Sequence, residues 1–134
     1  TASELLERVI GEELYINEVV FSEVAYIFLR IASGKSYNTL RKDRGLVSDA
    51  AKKFAEHVLP LLKLAEFLEV KQEVIEISGG YMIEYGLLPN DALILATCKH
   101  YRLDAILSLD RDFEEACRKE GILLLSSLGD LERI

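Results

Sequence analysis

The sequence predicts an α/β fold, a doubly wound parallel sheet between helical layers, and two observations carry that assignment. Four short apolar runs, residues 14–16, 67–70, 105–109 and 122–125, alternate with stretches of helical periodicity. That alternation implies parallel pairing through right-handed crossovers. Residues 105–109 are also apolar on both faces, as expected of a strand covered by helices on either side. With 134 residues, 50% of them hydrophobic and 29% charged, the chain is long enough to bury one sizeable core.

Taken in order, residues 3–13 have the pattern of a short amphipathic helix and residues 14–16 that of a strand. Asn17 is a suitable N-cap for the helix that follows. In that helix Val20, Val24, Ile27 and Ile31 recur at steps of four, three and four, and Val19 and Phe28 widen the stripe. Residues 33–48 lose apolar periodicity and read as a loop. A helix is predicted over residues 49–66, ended or kinked by Pro60, and then the strand 67–70. Residues 72–85 form a helix weakened by Gly79-Gly80 and closed by Gly86, with Pro89 as a further stop. A helix over 91–102, the strand 105–109, a helix over 111–119 and, after Gly121, the strand 122–125 complete the chain. No repeat or Ser/Gly/Pro-rich linker divides it, so a single domain over residues 1–134 is expected.

The net charge of −7 excludes bulk attraction to nucleic acid or to an anionic membrane. Neither a signal-peptide pattern nor a membrane-length apolar run occurs, because residues 19–29 are broken by Glu23, and a cytoplasmic protein is the expectation. Cys98 and Cys117 lie among apolar neighbours without Cys-x-x-Cys spacing and read as small core residues. His57 and His100 have no Ser or Cys partner motif, and Gly79-Gly80 lacks the context of a phosphate-cradling loop. The basic stretch Arg30, Lys35, Arg41, Lys42 and Arg44 holds one acid, Asp43, and reads as a solvated segment, with contact to phosphates or to an acidic partner as the alternative.

The carboxylates carry the chemical signal. Glu23 stands three residues after Val20 and four before Ile27, inside an apolar stripe where an unpaired charge is costly. Asp91 shares a helical face with Ile94, Leu95 and Cys98, and Asp110 and Asp112 follow a predicted strand. Each has a plainer reading: a salt bridge or a stripe edge for Glu23, helix capping for Asp91, Asp110 and Asp112. Together they bring acids to one predicted sheet edge, where ligands of such folds bind and where mutual repulsion requires a counter-charge. Mg²⁺ or Mn²⁺ supplies it, since both prefer oxygen ligands and retain waters for phosphodiester hydrolysis.

These segments resemble successive motifs of the PIN domain, especially the VapC-type ribonuclease toxins: Glu23 within residues 19–24, Asp91 heading residues 91–97, and Asp110 with Asp112 in residues 108–113. The resemblance covers nearly the whole chain. It implies a Mg²⁺- or Mn²⁺-dependent endoribonuclease acting on RNA, commonly a homodimer neutralised by a cognate antitoxin. It also implies that Glu23, Asp91 and Asp110 are metal-site acids, that Asp112 is a further acid, and that Ser108 supports the site. Arg111, between two of these acids, is the phosphate-contact candidate by position, with a salt bridge to Asp110, Asp112 or Glu115 as its plainer role.

The family begins with a central strand ending in Asp, usually followed by Thr or Ser and then Asn, and nothing from Thr1 onward carries it. Either that strand precedes Thr1 in the natural protein or the protein lacks the family's first acid. The reading favours an N-terminally incomplete chain, since a mid-sheet strand cannot be omitted without unpairing backbone groups and the only methionine is Met82. Two other classes stand beside the nuclease: a non-catalytic PIN-like module that holds a protein or RNA, and a phosphoryl-accepting receiver domain. The receiver explains neither Glu23 nor the Asp91 helix.

Overall fold

The computed structural model describes residues 13–126 and 130, which fall into two compact units divided between Phe67 and Leu68. The expected helix over residues 3–13 lies, but for Glu13, outside the described residues.

In the first unit, strand β1 (Tyr15–Asn17) runs directly into helix α1 (Glu18–Ser33). Asn17 makes that junction: its backbone is still extended, while its buried carboxamide accepts the amide of Val20 at 3.0 Å. Helix α1 ends at Gly34, whose φ of +69° lies in the left-handed region open to glycine. Helices α2 (Tyr37–Lys42), α3 (Arg44–His57) and α4 (Leu59–Leu62) follow, so the segment expected to be a loop is largely helical. Its helix starts are set by caps that apolar periodicity does not report. Ser36 Oγ accepts from the amide of Thr39, and Asp43 Oδ1 accepts from that of Leu46 at 3.1 Å. Pro60 acts as expected, since α3 stops at His57 and Pro60 sits in the first turn of α4. Strand β2 (Glu66–Leu68) pairs with β1, and the Glu66 amide donates to the Leu14 carbonyl at 2.8 Å.

The packing face of α1 differs from the predicted stripe. Phe21 and Phe28, two turns apart, each place a ring centroid 5.8 Å from that of Phe54 on α3. Ile27 and Ile31, roughly a quarter-turn round the helix, are 52% and 75% exposed. The larger rings decide the contact face, and Glu23 is half-buried rather than sealed in a core.

In the second unit, helices α5 (Gln72–Tyr85) and α6 (Pro89–His100) pack against each other. Strand β3 (Ala105–Leu107) then pairs in parallel with β4 (Leu123–Leu125), in the register Ala105 to Leu123, Ile106 to Leu124 and Leu107 to Leu125. A 3₁₀ turn (Arg111–Phe113) and helix α7 (Glu114–Glu120) connect them, which makes a β-α-β unit with the expected parallel pairing. The core holds Val74, Leu95, Ala96, Ile106 and Phe113, and both cysteines are buried as expected. Among the described residues the strands form two separate pairs, β1 with β2 and β3 with β4. β3 is also shorter than predicted: Leu107 and Leu109 are exposed, so the apolar run is not covered on both faces.

Glu120 at the end of α7 fastens this unit. Its carboxylate accepts the hydroxyls of Tyr85 and, at 3.0 Å, of Tyr81, and Lys99 Nζ lies 3.5 Å away, so that α5, α6 and α7 meet on one charged group. The Tyr85 hydroxyl above all, then those of Tyr81 and the Lys99 charge, hold the Glu120 carboxyl below the usual carboxylate range, against a smaller opposing effect of burial.

Two measurements check this packing. Phe54→Ala should lower unfolding free energy by about 3 kcal/mol in a denaturant titration, because two aromatic partners lose their contact. For Glu120 the folded pKa is depressed, so its contribution is present above 4.5 and lost as pH falls through the depressed value. Glu120→Gln should therefore flatten the acid limb of a thermal-stability profile against pH, leaving less stability to lose below 4.5.

Candidate metal centre

Three acids converge within the second unit. Asp91 stands in the first turn of α6, where Pro89 occupies an opening position that needs no amide donor. The capping residue is Leu88, and no side chain caps this helix, so the alternative reading of Asp91 as a cap does not hold. Ala92 and Leu95 beside it are fully buried, which fixes the half-buried Asp91 on the rim of the core.

Asp110 and Asp112 follow β3. The Ser108 amide donates to the Leu125 carbonyl at 3.1 Å, extending the β3–β4 pairing past Leu107. Ser108 Oγ accepts from the amide of Asp110 at 3.0 Å, and Asp110 Oδ1 accepts from the amide of Asp112 at 2.9 Å. Asp110 thus does cap the turn it precedes, and that same bond sets Asp112 beside it. Phe113, 3% exposed, anchors the turn from the core side while Asp110 and Asp112 stay exposed.

One carboxylate oxygen from each of Asp91, Asp110 and Asp112 lies within 4.8 Å of the others. Burial raises the Asp91 carboxyl above its ordinary pKa, and the charges of Asp110 and Asp112 push it further the same way. The donor set is all oxygen, and ligands about 2.1 Å from a shared ion sit some 3–4 Å apart, so three such acids fit Mg²⁺ or Mn²⁺.

The remaining candidates are distributed as follows. Glu23 lies in the first unit, in the second turn of α1. Arg111 extends from the turn into solvent and pairs with Glu114 at 3.4 Å, rather than with Asp110, Asp112 or Glu115. His57 is exposed, 3.6 Å from Glu56, and His100 packs edge-on against Tyr101. The Glu120 fastening went unread in the sequence because its tyrosines are 39 and 35 residues away.

The family model described as PIN domain matches residues 1–119. The chain belongs to the PIN-domain family. It is similar to Ribonuclease VapC2 of Methanocaldococcus jannaschii, with 33% identity over 115 residues that span 84% of this chain and 75% of the relative. It is also similar to Ribonuclease VapC6 of the same organism, 31% identical over 122 residues, covering 85% of this chain and 80% of the relative. No solved structure gives a significant match to it. Among its described residues no helix is long and apolar enough to cross a membrane.

The electrostatics of this PIN domain give a direct check. Because the folded pKa of Asp91 is raised, the folded state binds its proton more tightly than the unfolded state. Stability therefore falls as pH rises from 3.8 through the raised value. Without divalent ions, Asp91→Asn should melt above the parent protein at neutral pH, and the gap should close in acid. Added Mg²⁺ or Mn²⁺ should raise the melting temperature of the parent and leave Asp91→Asn nearly unmoved.

Proposed function

We propose that this PIN domain is a Mg²⁺- or Mn²⁺-dependent endoribonuclease that hydrolyses RNA phosphodiester bonds. In this reading it is the toxin of a toxin–antitoxin pair, a cytoplasmic homodimer held inactive by its cognate antitoxin. The observation that carries the activity is the meeting of Asp91, Asp110 and Asp112 within 4.8 Å. The two relatives named ribonucleases support RNA as the substrate, and the homodimer and the antitoxin follow from the family resemblance.

Asp91, Asp110 and Asp112 would hold the cation, and the family resemblance supports Glu23 as a further metal-site acid in this proposal. Held there, a divalent ion would supply water activation and charge neutralisation at the phosphate and the departing oxygen. The chain's own work is positioning. Ser108 fixes the backbone of Asp110, Asp110 fixes Asp112, and the buried Phe113 keeps the turn from swinging away. Arg111 is exposed beside both acids in the chain and, among the described residues, is ion-paired with the exposed Glu114 alone. A phosphate can displace such a surface pair at little cost.

The test is cleavage of labelled single-stranded RNA by the full-length protein at matched metal concentration. Asp91→Ala should reduce the rate by at least about a hundredfold, beyond the loss usual for residues that only support a metal ligand, with the fold retained by circular dichroism. Undiminished cleavage by Asp91→Ala, or cleavage that persists in excess EDTA, would overturn the proposal. If the parent binds metal and cuts no RNA, the non-catalytic module takes its place.

A further inference from the structure

The proposed metal centre does not use the basic segment, which the structure brings together with two exposed aromatic rings. Gly34 closes α1 in a left-handed turn, and α2 starts three residues later, so the last turns of α1 lie beside the first turn of α2. There Tyr26 and Tyr37 meet edge to face, with ring centroids 6.1 Å apart and planes at 61°. Tyr37 is 57% exposed and Tyr26 36%. Each tyrosine carries an arginine four residues on, hence on its own helix face: Arg30 beyond Tyr26 and Arg41 beyond Tyr37. The Arg30 guanidinium lies 5.8 Å from the centre of the Tyr26 ring.

The charge of the chain segment that holds Tyr37 runs against that of the molecule. Residues 30–53 hold seven cations and two acids, a net +5 within a chain of −7. One of the two acids, Asp43, is occupied in capping α3. Arg30, Lys35, Arg41 and Lys42 are exposed, and none is ion-paired with a described residue. Leu40, buried beneath α2, holds this short helix in place.

We infer that Tyr26, Arg30, Tyr37 and Arg41 form a stacking platform for unpaired bases of single-stranded RNA, with Lys35 and Lys42 meeting the phosphates. Aromatic faces bind any base by stacking, and flanking cations track the backbone, which together give affinity with little sequence preference. Base-paired RNA keeps its bases stacked inside the helix and offers such a platform nothing to hold. Ile27 and Ile31, exposed one position further round α1, are the residues a protein partner would use instead. The inference rests on the proposed function in taking RNA as the polyanion.

The experiment measures fluorescence anisotropy of a labelled single-stranded RNA of about 15 nucleotides, with the full chain carrying Asp91→Asn so that the probe stays intact. Adding Tyr26→Leu and Tyr37→Leu together should weaken binding by roughly tenfold or more, whereas Phe at both positions should preserve it, because stacking needs the ring and not the hydroxyl. Arg30→Gln with Arg41→Gln should lessen the salt dependence by about one to two counterions. The duplex form of the probe should bind more weakly, and Ile27→Ser should leave affinity unchanged.

Equal affinity of the Leu and parent proteins, with thermal melting showing both folded, would overturn the platform. So would a Leu double variant that alters self-association in sedimentation while RNA binding stays the same, since the patch would then be a protein interface. Platform-dependent RNA binding by a parent protein that cleaves no RNA would leave this inference standing and remove the nuclease. A parent protein that binds no RNA would remove both.

Discussion

Three carboxylates, each with an oxygen within 4.8 Å of the others, repel one another, and the backbone of the second unit is arranged to bring them together all the same. Two of the three arrive on one short segment whose backbone is locked by its own side chains, Ser108 to Asp110 and Asp110 to Asp112. The third comes from the first turn of a helix whose next residues are fully buried, so Asp91 cannot withdraw without lifting Ala92 and Leu95 from the core. The raised pKa of Asp91 reflects its burial first and the charges of Asp110 and Asp112 second. A rigid, repulsive cluster of oxygen donors is electrostatically prepared for a divalent cation, because the ion removes repulsion already present in the folded protein.

That rigidity is delivered by the packing behind the acids. Parallel pairing of β3 with β4 directs the chain out of the sheet at Ser108, and Phe113 brings it back to the core three residues beyond Asp110. Glu120 then gathers α5, α6 and α7 on one carboxylate through two tyrosines and Lys99. Removing any one of these supports would leave the three acids in the chain but relax their spacing, and the proposed metal centre depends on that spacing. In the first unit the organising contact is aromatic, with Phe21 and Phe28 closing on Phe54, and the faces of α1 left over stay in solvent.

Much of this was legible without coordinates. The order of strands and helices, Asn17 as a cap, the break near Pro60, the end of α5 at Gly86 and the burial of both cysteines all follow from local chemistry, because caps, breakers and glycine turns act over a few residues. The helix α2 was not legible, since a six-residue helix held by Ser36, Asp43 and one buried leucine leaves no periodic trace. The apolar stripe of α1 misled for a related reason. Period alone does not say which of two overlapping faces packs, and the two phenylalanines outweighed the isoleucines.

By itself the sequence determined the residue types and their order: an acid on a long helix, an acid opening another, two acids after a strand, and membership of the PIN-domain family. Tertiary structure decided that Asp91 shares a space with Asp110 and Asp112, and which tyrosine faces a tyrosine. Hydrogen-bonding propensity and hydrophobic period act between near neighbours and are written along the chain. The meeting of Asp91 with Asp110, and of Glu120 with Tyr81, depends on crossovers and side-chain volumes that become definite only when the core closes.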